Sequence, residues 1–284
     1  MLTACALLLA TAAPGPPVAV VASLAGEASV QAPASAPARP LLRFEWLSSG
    51  TKLAVGTGST LVLAFADGSR RELLANARAS LGDKGLASSE GDVRELSPLP
   101  PLPDLPPLAA DSGASRAGAV RIRGLRIARL YPREGWAVPA DSAVLRFDPV
   151  PTAARYKVSV EDEAGATRLE AEIDEPRVTV AAGTLKPGAR YYWRVRTLGA
   201  AGPGHRGEAE FTTLDAESAA RRARLADALH AQGAAGLALL AEIDRGLGLV
   251  LEARDELRAA LEVAPGDAAV REALERLDKV LTEQ

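Results

Sequence analysis

Residues 185–195, a Pro-Gly turn that leads into an alternating strand, constrain the fold of this chain more than any other segment. Their sequence is Leu-Lys-Pro-Gly-Ala-Arg-Tyr-Tyr-Trp-Arg-Val. Tyr191, Trp193 and Val195 recur at every second position, which is typical of a β-strand that buries one face. The segment therefore predicts a half-buried strand, and the rest of the chain can be placed relative to it.

The Leu-x-Pro-x-x-x-Tyr-x-x-x-Val spacing of this segment resembles the entry into strand F of a fibronectin type III sandwich. The resemblance implies that Tyr191 is the tyrosine corner, whose hydroxyl group bonds to the backbone a few residues upstream. Phe147 stands where that family usually has Trp. The resemblance implies an immunoglobulin-like all-β sandwich over residues 119–214. Its other strands are expected at 144–147, 156–160, 177–180 and 210–212.

Short alternating strands also fill the first third of the chain. The clearest, residues 60–66, is followed by Asp67-Gly68, a dipeptide typical of hairpin turns because it tolerates positive φ. Several segments resemble the periplasmic FecR-type domain: residues 24–30, 46–53 and 58–69, together with Asn76. The resemblance implies an extracytoplasmic β domain over residues 18–96 that contacts proteins or ligands without catalysis.

Residues 1–17 form a predicted signal segment. No charged residue occurs before Glu27, and residues 2–13 are an apolar run of secretory length that ends in small residues. This pattern predicts export to the periplasm or the outer membrane of a bacterium. Leu-Thr-Ala-Cys at positions 2–5 also matches a bacterial lipobox. Lipidation of Cys5, and membrane attachment through it, is therefore an alternative form of the same export.

A Pro-rich linker is predicted at residues 97–118. Its first eleven residues contain six prolines, which favour the polyproline II conformation and hold two domains apart as a semi-rigid spacer. The alternative is that this segment is itself a ligand for an aromatic groove on another protein.

After Leu214 the apolar period changes from two to 3.6, which predicts helices over residues 215–284. The tail resembles a tetratricopeptide repeat in the spacing of these residues: Leu237, Leu240, Ala241, Gly248, Ala253, Leu257, Ala260 and Pro265. Asp244 stands where the repeat prefers Tyr. One whole repeat is visible, between helices expected at 216–232 and 267–281. The predicted fold class is therefore multidomain and all-β with a C-terminal helical repeat-like tail.

Composition excludes several kinds of site. Cys5 is the single cysteine, so neither an intramolecular disulfide nor a cysteine metal cluster can form. His205 and His230, the two histidines, lie in unlike contexts, and neither a metal site nor a Ser-His-Asp triad is expected. The net charge of −3 argues against nucleic-acid binding over the whole surface. We predict no catalytic residues and no cofactor.

Four arginines interleave with apolar residues at the start of the predicted sandwich domain: Arg121, Arg123, Arg126 and Arg129. The simpler interpretation is a solvated edge strand whose charges discourage pairing with another chain. The alternative is a binding site for phosphate or carboxylate groups of lipopolysaccharide or a wall polymer.

The helical tail is the other candidate binding surface, because helical repeats form grooves for partner proteins. Its leucine stripe is expected to form the core of the tail and consists of Leu237, Leu240, Leu257 and Leu261. Contact with a partner is therefore predicted at exposed Glu242, Arg245 and Glu256. The sequence thus predicts a non-catalytic scaffold or adaptor of the cell envelope that binds another envelope protein. A polyanion- or carbohydrate-binding protein and a hydrolase with an unrecognised site are the alternatives.

The uncharged apolar N-terminus generates a prediction about processing. Fractionation of cells that express the chain, followed by N-terminal sequencing, should give a mature protein that begins near Ala13 and lies outside the cytosol. Recovery of the intact chain in the cytosol would contradict export. A mature N-terminus at an acylated Cys5 would replace simple cleavage with lipidation.

Overall fold

The computed structural model describes residues 17–32, 37–103, 125–199 and 204–282. Contacts divide the chain into two compact units, residues 1–108 and 109–284. Within the described residues, the chain is mostly β-structure, in four sheets, with four helices at the C-terminal end. The predicted signal segment up to residue 16 lies outside the described residues. No helix among them is long and apolar enough to cross a membrane.

The described part of the first unit contains ten strands. They are β1 (Pro17–Ala25), β2 (Ala28–Gln31), β3 (Arg39–Pro40), β4 (Trp46–Ser48), β5 (Lys52–Val55), β6 (Thr60–Phe65), β7 (Arg70–Leu73), β8 (Arg78–Gly82), β9 (Gly85–Glu90) and β10 (Val93–Leu96).

These strands form two five-stranded sheets, in the orders β10-β7-β6-β1-β4 and β3-β2-β5-β8-β9. One apolar core contains side chains from both sheets, such as Leu61 and Leu63 of β6 and Leu53 and Val55 of β5. Strand β1 lies between β6 and β4, and Val18 to Ala22 are all buried. The β-rich character predicted from residue 18 onwards is confirmed.

The turn after β6 forms as a hairpin, with one difference from the expected geometry. Gly68 has a φ of 86°, whereas Asp67 does not have positive φ, because the loop between β6 and β7 is four residues long. The Asp67 carboxylate accepts a hydrogen bond from the Ser69 amide at 2.8 Å. This local hydrogen bond is typical of an Asx turn.

The start of the Pro-rich segment packs on this same hairpin. The amide of Leu99 donates to the carbonyl of Gly68, and that of Leu102 donates to the carbonyl of Ala66. Both leucine side chains are buried. Residues 97–103 therefore belong to the first unit and are not spacer, because two leucines between the prolines supply apolar surface. The other residues of the predicted linker, 104–118, lie outside the described residues.

The described part of the second unit begins with eight strands. They are β11 (Leu125–Arg126), β12 (Ala137–Val138), β13 (Val144–Arg146), β14 (Arg155–Asp162), β15 (Thr167–Ile173), β16 (Arg177–Thr179), β17 (Arg190–Leu198) and β18 (His205–Thr213).

The strands of the second unit lie in two layers around one core. The larger sheet has the order β11-β18-β17-β14-β15, with β12 also paired to β18, and the smaller sheet is β13-β16. Trp193 and Val158 of the larger sheet and Leu145 of the smaller one belong to the same buried cluster. The strands predicted around residues 144, 156, 177 and 210 are all present, whereas β12 and β15 were not predicted.

Tyr191 is in the environment that the sequence predicts. Its side chain is 1% exposed, and its hydroxyl oxygen accepts a hydrogen bond from the Lys186 amide at 2.7 Å. The hydroxyl group thus returns to the backbone five residues upstream. This bond ties the Pro-Gly turn to the start of β17.

Four helices follow in the described residues: α1 (Ala216–His230), α2 (Gly233–Gly246), α3 (Val250–Val263) and α4 (Ala268–Thr282). Asp215 caps α1, because its carboxylate accepts a hydrogen bond from the Ser218 amide at 2.9 Å. Of the predicted leucine stripe, Leu240 and Leu257 are buried, whereas Leu237 and Leu261 are half-buried. The helical prediction for the tail is confirmed.

The helices dock on the strands of the second unit. The Tyr131 hydroxyl group donates to the Leu281 carbonyl at 2.5 Å, and the Arg133 guanidinium group donates to the Val280 carbonyl at 3.1 Å. Between α2 and α3, the carbonyl of Gly248 accepts a hydrogen bond from the Ala137 amide at 3.0 Å. The tail is therefore part of the second unit and not a separate helical domain.

The contact at Gly248 generates a stability prediction. Gly248 has a φ of 79°, and a Cβ atom there would lie 3.1 Å from the Ala137 nitrogen. Gly183 has a φ of 80°, but a Cβ atom there would meet nothing within 4 Å. Gly183→Ala should therefore cost about 1 kcal/mol of backbone strain, and Gly248→Ala about 2–3 kcal/mol. Hydrogen exchange of the full chain, read in peptides from the second unit, measures both costs. Equal costs would show that docking at Gly248 contributes nothing.

Candidate partner-binding groove

A groove with a volume of about 600 Å³ lies between the small sheet and the helices of the second unit. We call it the arginine groove. Its lining residues are Arg129, Tyr131, Arg146, Phe147, Pro176, Arg177, Leu251, Arg254, Asp278, Leu281 and Thr282. The groove thus combines four guanidinium groups with apolar walls.

Strand register places three of these side chains on one face. Tyr131 and Arg146 exchange two backbone hydrogen bonds of 2.7 Å, and Arg146 lies opposite Arg177 in the β13–β16 pair. Residues directly opposite each other in a sheet project from the same face. Because Leu145 is completely buried in the core, its neighbour Arg146 projects from the opposite face, towards the groove.

The helices supply the other wall. Arg254 of α3 and Asp278 of α4 form an ion pair with a 2.7 Å separation between Nε and Oδ1. The Tyr131 hydroxyl group binds the backbone of α4 at Leu281. Burial raises the pKa of Tyr131, so the phenol stays a neutral hydrogen-bond donor. Hydrogen bonds from Tyr131 and Arg133 therefore join this wall to the strand region of the second unit.

The positive charge of the groove is only partly neutralised. Arg129 pairs with Asp148 at 2.7 Å, and Arg254 pairs with Asp278. No carboxylate among the described residues pairs with Arg146 or Arg177. The Nε atom of Arg146 is buried and has no hydrogen-bond acceptor in the described part of the chain. Because buried donors are almost always satisfied, this site is suited to an anionic group with apolar neighbours.

Of the four arginines singled out in the sequence, the structure describes Arg126 and Arg129 and places them apart. Arg121 and Arg123 lie outside the described residues. Arg126 is exposed on β11, which is an edge strand, as the simpler interpretation expects. Arg129 lies beyond the end of β11 with a φ of 45° and lines the groove. Arg126 and Arg129 therefore lie in different surroundings, because β11 ends at Arg126 and the chain turns after it.

The predicted contact residues of the tail are less exposed than expected. The side chains of Glu242 and Glu256 are only 13% and 17% exposed, whereas that of Arg245 is 46% exposed. Glu242 and Arg245 pair with each other, and Glu256 lies 3.2 Å from the ring of His230. Their assignment as exposed partner contacts is corrected for both glutamates, since intramolecular partners hold them against the helices.

Cys5, the predicted lipidation site, lies outside the described residues. Among the described residues, no group of three or more His, Cys, Asp and Glu side chains is arranged to hold a metal ion.

A polar cluster lies inside the helical part. Asp244 is completely buried and accepts two hydrogen bonds of 2.6 Å from Arg222, one on each carboxylate oxygen. Burial raises the pKa of Asp244 to about 6, although Arg222 acts in the opposite direction. Burial also raises the pKa of Glu252 to about 7, and the negative charge of Asp244 adds to this increase. The two carboxylates thus bind protons more tightly in the folded chain.

Arg146, Arg177 and Arg254 line the groove but were not predicted as site residues. Arg146 and Arg177 follow the polar-out alternation of ordinary strands, and Arg254 follows the polar face of a helix. Only the pairing of β13 with β16 and the docking of α3 bring them together. The signal that was available is an excess of arginine, since 28 of the 33 basic residues are Arg.

No protein-family model and no curated protein sequence matches this chain. Among solved structures, CopC from Methylosinus trichosporium OB3b is 26% identical, with a TM-score of 0.26, over 32% of this chain and 94% of that chain. The FN1–FN3 domains of chicken CNTN1 are 9% identical, with a TM-score of 0.24, over 66% of this chain and 55% of that chain.

The raised carboxylate pKa values generate a prediction about pH. Because the folded chain holds these protons more tightly than the unfolded chain, stability of the helical part should rise as pH falls from 8 to 5. Glu252→Gln mimics the protonated side chain. It should stabilise the helices by about 1–3 kcal/mol at pH 8 and have little effect at pH 5.

Hydrogen exchange of α1 to α3 at both pH values measures this effect. The exposed Glu275 on α4 offers a matched control, and Glu275→Gln should not change the pH dependence. Since Arg222, Asp255, Glu256 and His230 also act on the cluster, only the difference between the two variants is diagnostic. Destabilisation by Glu252→Gln at pH 8 would mean that this carboxylate is required in its ionised form.

Proposed function

We propose that this protein is an exported, non-catalytic scaffold or adaptor of a bacterial cell envelope. Its second unit binds another envelope protein by holding an acidic, partly apolar segment in the arginine groove. Export rests on the uncharged apolar N-terminal segment. A cleavage near Ala13 would leave strand β1, which begins at Pro17, intact.

The proposal includes a family assignment for each part of the chain. The first unit is a FecR-like periplasmic domain, on the strand and glycine spacing of residues 18–83. The strands of the second unit are a fibronectin type III-like sandwich, which the hydrogen bond at Tyr191 supports. The helices are tetratricopeptide-like, which the complete burial of Ala253 and Ala260 supports, since that repeat has small residues where its helices cross.

The observation that carries the binding proposal is the charge of the groove. Arg146 and Arg177 have no carboxylate partner among the described residues, and Leu251 and Leu281 line the groove beside them. Arginine binds carboxylate groups in a planar, two-point geometry. A segment with acidic and apolar residues would match both features, whereas a purely polar ligand would leave the apolar wall exposed to water.

The groove generates a prediction about capture. Immobilised full-length protein should retain a partner from a periplasmic extract. Arg146→Gln combined with Arg177→Gln should weaken this retention about tenfold or more, because charge-assisted hydrogen bonds in a partly buried site are lost. Quantitative mass spectrometry of the retained proteins, with cross-linking to peptides that contain residues 146 or 282, measures the effect.

The control has the same change of charge at another place. Arg224 and Arg258 are exposed on α1 and α3, and Arg224→Gln combined with Arg258→Gln should leave retention within about twofold of the wild type. A partner retained equally by the groove variant and the control would place the adaptor surface elsewhere. The absence of any specifically retained protein would contradict the adaptor proposal itself.

A further inference from the structure

A second cationic feature lies on the larger sheet of the second unit. Four positively charged residues on adjacent strands are directly opposite one another, namely Arg126 on β11, Arg206 on β18, Arg196 on β17 and Lys157 on β14. We call them the cationic row. Adjacent strands lie about 4.8 Å apart, so the row crosses the sheet in a straight line about 14 Å long.

The whole row projects away from the core. The neighbours of Lys157 in its strand, Tyr156 and Val158, are buried, as is Val195 beside Arg196. Arg126, Arg196 and Arg206 are exposed, and Lys157 is half-buried. Because side chains alternate between the two faces of a strand, all four charges lie on the outer face of the sheet.

Other charged residues on this face form ion pairs. Arg194 lies 2.8 Å from Glu161 and 3.5 Å from Glu208. Lys157 itself pairs with Glu170 at 2.6 Å.

The three arginines of the row differ from this pattern. No carboxylate of the described residues pairs with Arg126, Arg196 or Arg206. Like charges directly opposite each other destabilise a sheet. No ion pair among the described residues offsets the repulsion between these arginines. A feature that is unfavourable for folding and is nevertheless present indicates a functional surface.

We propose that the cationic row binds a linear anionic polysaccharide that carries one acid group per sugar. Such a chain is extended and narrow and carries carboxylates at short, regular intervals, so it can follow a single line of positive charges. The guanidinium groups of the three arginines would bind the acid groups that face the sheet. The polymer would lie across the strands.

The surroundings of the row favour a single chain over a flat membrane. Glu208 lies two residues after Arg206 on the same face of β18, and Glu172 of β15 lies opposite Lys157. These carboxylates confine the unpaired positive charge to the row itself, whereas an anionic bilayer is bound by a broader cluster of positive charges. A narrow positive line between acidic residues is suited to a narrow, extended polyanion.

The test uses polygalacturonate as the probe and the full-length protein. Biolayer interferometry at low and at physiological ionic strength should show binding that weakens with salt. Arg196→Gln combined with Arg206→Gln should weaken binding about tenfold, because two exposed ion pairs contribute up to about 1 kcal/mol each. Neutral dextran should not bind.

Two control variants separate the row from net charge and from the groove. Arg224→Gln with Arg258→Gln removes the same charge elsewhere, and Arg146→Gln with Arg177→Gln removes it from the arginine groove. Both should stay within about twofold of the wild type. Equal weakening in all three variants, or no binding of polygalacturonate by the wild type, would overturn the proposal.

Two further probes test the class of ligand. Row-dependent binding to phosphatidylglycerol vesicles that exceeds binding to polygalacturonate would assign the surface to a membrane and overturn the proposal. The same result with polyglutamate would assign it to an acidic protein and overturn it as well. Circular dichroism should show that the row variant stays folded, since the substitution relieves repulsion between opposed arginines.

Discussion

The hydrogen bond from the Tyr131 hydroxyl group to the Leu281 carbonyl fixes the helices against the strands of the second unit. The bond between Ala137 and Gly248 fixes the same interface at its other end. Without these contacts, Arg146 would lie on an open sheet face, where water would satisfy its Nε atom. The docked helices turn that face into a groove, remove part of it from water, and so strengthen any charge interaction that forms there.

Local periodicity predicted the elements of this chain well. The alternation at Tyr191 and Trp193 gave a strand with the expected buried face, and the 3.6-residue period after Leu214 gave helices. These signals succeed because burial of one face is decided within a few residues. The burial of Leu99 and Leu102 in the Pro-rich segment was not predicted, because it depends on a hairpin more than thirty residues earlier in the chain.

Neither cationic surface could be predicted, for one physical reason. The cationic row requires the register of four strands, and a slip of one residue in any of them would move its charge to the core face. The arginine groove requires the docking of α3 and α4, which brings together residues such as Tyr131 and Leu281 that are 150 positions apart in the sequence. A sequence shows that Arg126 and Arg129 are charged, but not that the chain turns between them and sends them to different surfaces.

Asp244, which departs from the tetratricopeptide pattern, also contributes to the packing of the helices. A carboxylate where the tetratricopeptide pattern prefers Tyr weakened the sequence argument for a repeat, yet Arg222 from α1 satisfies both of its oxygens. A buried carboxylate without such a partner would be strongly destabilising. The ion pair therefore makes α1 an obligatory neighbour of α2. Just after α2, the carbonyl of Gly248 accepts the hydrogen bond from Ala137. The helix α1 is therefore held in the same packed unit as the wall of the groove.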